Sequence, residues 1–186
     1  GGTRLLYLFS SGLLLAGAGT VMLLNSPYRL QRWTAFWEPF QHVQDVGYQV
    51  VQSLYGLGNG HLLGAGLGQG KQKLFFLPEA HTDFILSVLG EELGFVGLSV
   101  VFICFGVFLI RSMRITLLQT DLQRRFAALG LSLVVLLEAL LNMGVVLSAF
   151  PPTGIPMPFI SYGGSSLVIM CLCTGLLLNL GARRPD

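Results

Sequence analysis

The chain has 186 residues, 53% of them hydrophobic and only 11% charged, with a formal net charge of +2. Its mean hydropathy is +0.70, whereas a soluble domain carries roughly 25% charged residues; a core this small cannot hide so much apolar surface, and a water-soluble globule is excluded. The small net charge and the lack of a dense basic run exclude nucleic acid as a partner.

Four stretches can cross a bilayer. Residues 5–24 carry no charge, and their length suits a hydrocarbon core about 30 Å thick. Residues 84–110 are interrupted only by Glu91 and Glu92, and residues 126–150 only by Glu138. The run from Phe159 to Ala182 has no charge, but its first turns are rich in Pro and Gly, so the span is placed at 163–182. The fold expected is an all-α, polytopic membrane helix bundle, one membrane domain over 1–186, with loops 25–83 and 151–164 on one side. Arg4, Arg111, Arg114, Arg124, Arg125, Arg183 and Arg184 fall together if the spans alternate, against Arg29, Arg32, Lys71 and Lys73 opposite. The positive-inside bias then puts both chain ends in the cytoplasm and both of those loops outside. The chain starts at Gly1 without a signal-peptide pattern and reads as part of something longer.

The long outer loop has internal organisation. "YRLQRWTAFWEPF" mixes Trp33, Phe36, Trp37 and Phe40 with Arg29 and Arg32, the pattern of an interfacial segment. Val46, Val50, Val51, Leu54 and Tyr55 fall at helical spacing, which predicts a short amphipathic helix on the membrane surface. "GLGNGHLLGAGLGQG" follows, with seven glycines in fifteen residues. No strand precedes it, so a dinucleotide-binding reading is rejected. Tight folding, or close approach to a ligand, is what such glycine density permits. The short outer loop, "PPTGIPMPFISYGG", holds four prolines and three glycines and cannot be regular helix. Irregular backbone near membrane depth survives only when buried in protein or lining a wet cavity. Both loops are expected to wall one cavity.

Asp83 sits where polar loop becomes apolar helix. It can serve as an N-cap, worth about 1 kcal/mol. It can equally be an ionised base or cation ligand at the cavity's lip, since cap bonds and the helix dipole favour the charged form. Glu91 and Glu92 lie eight and nine residues on, at a depth where a carboxylate normally faces protein or water. Ser87 and Glu91 continue the Asp83 stripe by fours, so Glu91 is the one expected to share the cavity; a buried hydrogen bond to another segment is the alternative. Gly90, Gly94 and Gly97 predict a close helix-packing face. Glu138 and Asn142 share a face of the third span, as a polar bridge or part of a path. Lys71 and Lys73 suit a diphosphate, or simply keep the loop soluble. His42, His61 and His81 have no zinc spacing; His81 can tune Asp83 or sit at the interface. Cys104, Cys171 and Cys173 lie in apolar runs and give neither a disulfide framework nor a metal site.

"LPEAHTDFI", "GEELGF" and "PMPFISYGGSSL" resemble the hallmark blocks of the SEDS family (shape, elongation, division and sporulation), the FtsW/RodA/SpoVE type. "GYQVVQSLYGLGNGHLLGAGLG" and "KQKLFFLPEAHTDF" are most similar to its FtsW branch. The resemblance covers nearly the whole chain, and these four spans would be the last of about ten. It implies an inverting glycosyltransferase that polymerises lipid II outside the bacterial cytoplasmic membrane, at the division septum, beside a class B penicillin-binding transpeptidase and other division proteins. It implies Asp83 as the catalytic base, a Pro/Gly block containing Pro158, Ser161, Tyr162, Gly163 and Gly164, and a divalent cation (Mg2+ or Mn2+) for which Asp83 is a candidate ligand. Lys71, Lys73, His81 and Glu91 are then the expected substrate-binding residues. A lipid II transporter and a non-catalytic division scaffold are the alternative functions.

Overall fold

The computed structural model describes residues 5–26, 36–37, 40, 47–72, 77–78 and 80–182. Lys73, Trp33, Arg29, Arg32 and Val46 lie outside the described residues. Among the described residues the structure is helical, without strands. The chain divides into two compact units, 1–48 and 49–186.

The first unit contains α1, Leu5–Leu24. Its described side chains are exposed, among them Leu6, Phe9, Leu13 and Leu14. The Ser10 hydroxyl donates to the Tyr7 carbonyl and the Thr20 hydroxyl to the Gly17 carbonyl. Hydroxyls folded back onto their own helix in this way are paired without leaving it. Phe36 and Trp37 meet edge to face, ring centres 5.7 Å apart.

The second unit holds α2 (Tyr48–Asn59), α3 (Ile85–Leu118), α4 (Leu122–Val146) and α5 (Gly164–Ala182). The last three are long and apolar enough to cross a membrane, and Phe9–Met22 of the first unit forms a shorter apolar segment. The expected second and fourth spans overlap α3 and α5, each starting one residue before its helix; the third overlaps α4, which ends at Val146. α3 packs on α4 and α4 on α5. At one end, Gln119 Nε2 donates to the Leu180 carbonyl at 3.0 Å. At the other end, Phe84, Leu86, Val145, Val146 and Met157 form a buried core.

Two sequence expectations change here. α2 is not a surface helix: Val50, Val51, Ser53 and Gly56 are buried. The Ser87 hydroxyl donates to the Ser53 carbonyl at 2.7 Å, and the Ser53 hydroxyl donates to the Val146 carbonyl at 3.3 Å. Of the apolar face read from the sequence, Val50 and Val51 are buried and Tyr55 is exposed, and the buried face, which includes Ser53 and Gly56, meets α3 and α4. Gly94 is not part of a helix-packing face either. Its φ of 67° and ψ of −165° break α3 into 85–93 and 95–118. That region of backbone space is open essentially to glycine alone.

Candidate functional site

The turn at residues 81–83 is held by its backbone at three successive carbonyls. The Tyr162 N–H donates to the His81 carbonyl at 2.9 Å. The Ser161 hydroxyl donates to the Thr82 carbonyl and accepts the Met157 N–H. The Asn142 side-chain amide donates to the Asp83 carbonyl and to the Ile155 carbonyl, each at 2.8 Å. The turn before α3, the end of α4 and the Pro/Gly loop before α5 therefore form one hydrogen-bonded unit. Asn142 is buried, as are Met157 and Pro158 beneath the turn.

The Asp83 side chain is half-buried and faces Gly154, where a Cβ would lie 3.6 Å from Asp83 Oδ2. Gly154 has φ +74°. The N-cap position of α3 falls on Phe84, one residue after Asp83, for which the sequence left an N-cap role and a catalytic role both open. The backbone at 81–83 is directed to the Pro/Gly loop instead.

The glycine-rich segment is spliced into the break in α3. The Ala65 and Gly66 N–H groups donate to the carbonyls of Glu91 and Glu92, and the His61 and Leu62 carbonyls accept from Phe95 and Val96. The broken helix thus finds in the loop the partners that it cannot supply itself. Close backbone approach explains the glycines: a Cβ on Gly60 would strike the Gly90 carbonyl, and one on Gly64 the Glu92 carbonyl. The two carboxylates complete the splice. Glu91 Oε1 accepts the Lys71 N–H and Oε2 the Gln72 N–H, both at 3.0 Å, while Glu92 Oε2 accepts the Gly68 N–H at 3.0 Å. Both converge on Gly70, where a Cβ would come within 3.0 Å of each.

The structure separates the candidate residues into two groups. Asp83, His81, Ser161 and Tyr162 gather at the turn, with Pro158 below and Gly163 following; His81, Tyr162 and Gly164 are exposed. Glu91 is 2% exposed with both oxygens bonded to loop amides, so it anchors the loop instead of facing an open cavity. Lys71 is joined to it through its backbone N–H, and its side chain is exposed. Glu138, one turn from Asn142, accepts from the Ser166 hydroxyl at 3.2 Å. Among the described residues no three His, Cys, Asp or Glu side chains gather as a metal site. Gly154 was missed by sequence reasoning; its one signal was a glycine between the proline pair 151–152 and Pro156.

Several apolar helices joined at one end by an irregular, internally hydrogen-bonded cap define a multi-pass helical membrane protein. The chain belongs to the FtsW/RodA/SpoVE family, described as "Cell cycle protein", which matches residues 1–185. It is 48% identical over 181 residues to a probable peptidoglycan glycosyltransferase FtsW of Trichlorobacter lovleyi, covering 97% of this chain and 48% of that protein. It is 42% identical over 179 residues to stage V sporulation protein E of Bacillus subtilis, covering 96% and 49%. A chain from a structure titled for the coordination of polymerization and crosslinking by a peptidoglycan synthase complex superposes with a TM-score of 0.69 at 28% identity, covering 98% of this chain and 49% of the other. A Thermus thermophilus rod shape determining protein RodA, crystallised as an aspartate-to-alanine mutant, gives 0.56 at 33% identity, covering 67% and 39%. The chain thus spans about half the length of the curated relatives that it matches.

Proposed function

We propose that the full-length protein polymerises lipid II into glycan strands for septal wall synthesis, with Asp83 as its base. The observation that carries this reading is the three-point backbone hold on residues 81–83, which fixes a half-buried carboxylate beside Gly154. General-base help of this kind contributes about 10²–10⁴ in rate, provided that the base is held within hydrogen-bond reach of its proton. Asp83 takes the proton from the acceptor sugar's 4-hydroxyl as that oxygen bonds to the donor's anomeric carbon. The carbon–oxygen bond to the lipid diphosphate breaks in the same displacement, and the configuration inverts. Positive charge helps the diphosphate leave, and Lys71 and Lys73 are the side chains suited to supply it.

The relatives' names and the synthase-complex title support this reading, as does the placement of the turn at the ends of apolar helices. It carries with it four crossings including α1, both ends in the cytoplasm, the Asp83 end outside the cytoplasmic membrane, and a penicillin-binding transpeptidase as partner. The transport alternative needs a carboxylate serving a path at depth. Glu91 is committed to loop amides and Glu138 accepts from Ser166, so no observation favours it.

The test is lipid II polymerisation by the full-length protein with its transpeptidase. Asp83→Asn keeps the side chain's shape and removes the base, so glycan chains disappear while the protein still folds and binds its partner. Chains of normal length and yield from that variant overturn the assignment.

A further inference from the structure

Leu62, Leu63 and Leu67 are 68%, 81% and 76% exposed, on a loop whose backbone is otherwise engaged. Three leucines held open on one short loop are an unusual load for a water-facing segment. Their height is fixed by α3. The Leu62 carbonyl accepts from Val96, and Gly94 lies in backbone contact with Leu62 and Gly64, so the loop is level with the start of the lower half of the helix. Phe95 and Val96, in that first turn, are themselves 64% and 51% exposed.

The length of that half sets its depth. From Phe95 to the first charge, Arg111, the helix rises about 24 Å, and to Arg114 about 28 Å, at 1.5 Å per residue. A hydrocarbon core is about 30 Å thick, and tilt shortens the reach further. The apolar half of α3 therefore ends at or below the hydrocarbon boundary, and the loop beside it fills the remaining height. Irregular backbone is tolerated there only if its polar groups are satisfied by protein. Much of the segment meets that condition: the N–H groups of Gly64, Ala65, Gly66 and Gln69 reach carbonyls, and those of Gly68, Lys71 and Gln72 reach the buried carboxylates of Glu92 and Glu91. Gln69 and Lys71, further along, are exposed polar residues suited to the headgroup side.

We propose that the Gly60–Gly70 loop dips into the leaflet nearest the Asp83 turn and seats Leu62, Leu63 and Leu67 among lipid chains, with Glu92 holding the loop at Gly68 and Glu91 holding its exit at Lys71 and Gln72. The occupant of this surface is the bilayer itself, because the loop continues the lipid-facing surface of a membrane-spanning helix.

The experiment places a spin label at Leu63→Cys, Leu67→Cys, Gln69→Cys or Val107→Cys in the full-length protein, otherwise free of cysteine, in lipid nanodiscs. Oxygen and a nickel chelate then compete as relaxing agents. The expected result is high oxygen and low nickel accessibility at 63 and 67, approaching the mid-span Val107 position, and the reverse at 69. Nickel accessibility at 63 and 67 equal to that at 69 overturns the proposal in favour of a water-facing loop. Shielding from both agents overturns it in favour of cover by another part of the protein or a partner helix. A second measurement needs no substitution: a lipid carrying a photoreactive group near the top of its acyl chain should label the wild-type protein within 62–67, and absence of adducts there, with labelling of α3, has the same overturning force.

Discussion

Asn142 holds Asp83 by its backbone: the buried side-chain amide donates to the Asp83 carbonyl and to the Ile155 carbonyl, each at 2.8 Å. One side chain on α4 thereby fastens the turn before α3 to the loop before α5. Replacing it by alanine leaves two carbonyls without that donor in a buried place. Leaving a buried polar group unsatisfied costs about 1–3 kcal/mol. Asn142→Ala should lower thermal stability by that order in a full-length preparation and reduce polymerisation less than Asp83→Asn does. Unchanged stability would show that the bridge carries no weight.

The glycine splice gives a paired prediction. A methyl group on Gly94 would meet the Gly64 amide nitrogen and the Leu62 carbonyl, on a backbone closed to other residues. Gly106, in the lower half of the same helix, has nothing within 4 Å of an added Cβ. Gly94→Ala should destabilise by about 1–3 kcal/mol, whereas Gly106→Ala should be neutral or stabilise by about 0.5–1 kcal/mol. Equal melting temperatures for the two variants would contradict the break.

The glutamates are predicted to act on the loop and only through it on the Asp83 turn. Glu91→Gln keeps one acceptor oxygen for the two amides that Glu91 now satisfies. A hydrogen bond to a charged group contributes about 1.5–3 kcal/mol. Hydrogen exchange over residues 64–72 should accelerate in Glu91→Gln, while amides in the middle of α4 and α5 keep their protection. Uniform acceleration throughout would mean that Glu91 supports the whole bundle and not the loop alone.

The sequence carried the helical class and the place of Asp83 just before an apolar helix, because hydropathy records both. What it could not carry was pairing at a distance. Ser161 and Thr82 meet across 79 positions, and Ser53 and Val146 across 93. Periodicity placed Val50 and Val51 on the buried face of α2, missed Ser53 and Gly56 beside them, and could not say whether lipid or protein would cover it. The break at Gly94 was hidden for a related reason: a Gly-x-x-x-Gly in an apolar run reads the same whether the glycines admit another helix or let the chain turn. Adjacent glutamates before a glycine, with a glycine-dense segment upstream, held the only hint. The stripe that singled out Glu91 over Glu92 did not separate them in the structure, because the loop wraps the helix end and meets both.

Gly154 offers the sharpest test of the space around the carboxylate. Its φ of +74° costs a residue with a Cβ about 1–2 kcal/mol, and the added methyl would sit 3.6 Å from Asp83 Oδ2. That is ordinary contact distance, so the carboxylate need not move. The methyl instead occupies room that a hydroxyl needs when it approaches that oxygen. Gly154→Ala in the full-length polymerase should therefore lower kcat by about tenfold, the equivalent of about 1.4 kcal/mol, with a KM for lipid II close to that of the wild type. Gly175→Ala, within α5 with nothing near its added Cβ, serves as the control. A Gly154→Ala enzyme that turns over as fast as the control would mean that the reacting hydroxyl approaches from elsewhere. If KM rises while kcat holds, Gly154 shapes the binding of lipid II and leaves the proton transfer alone.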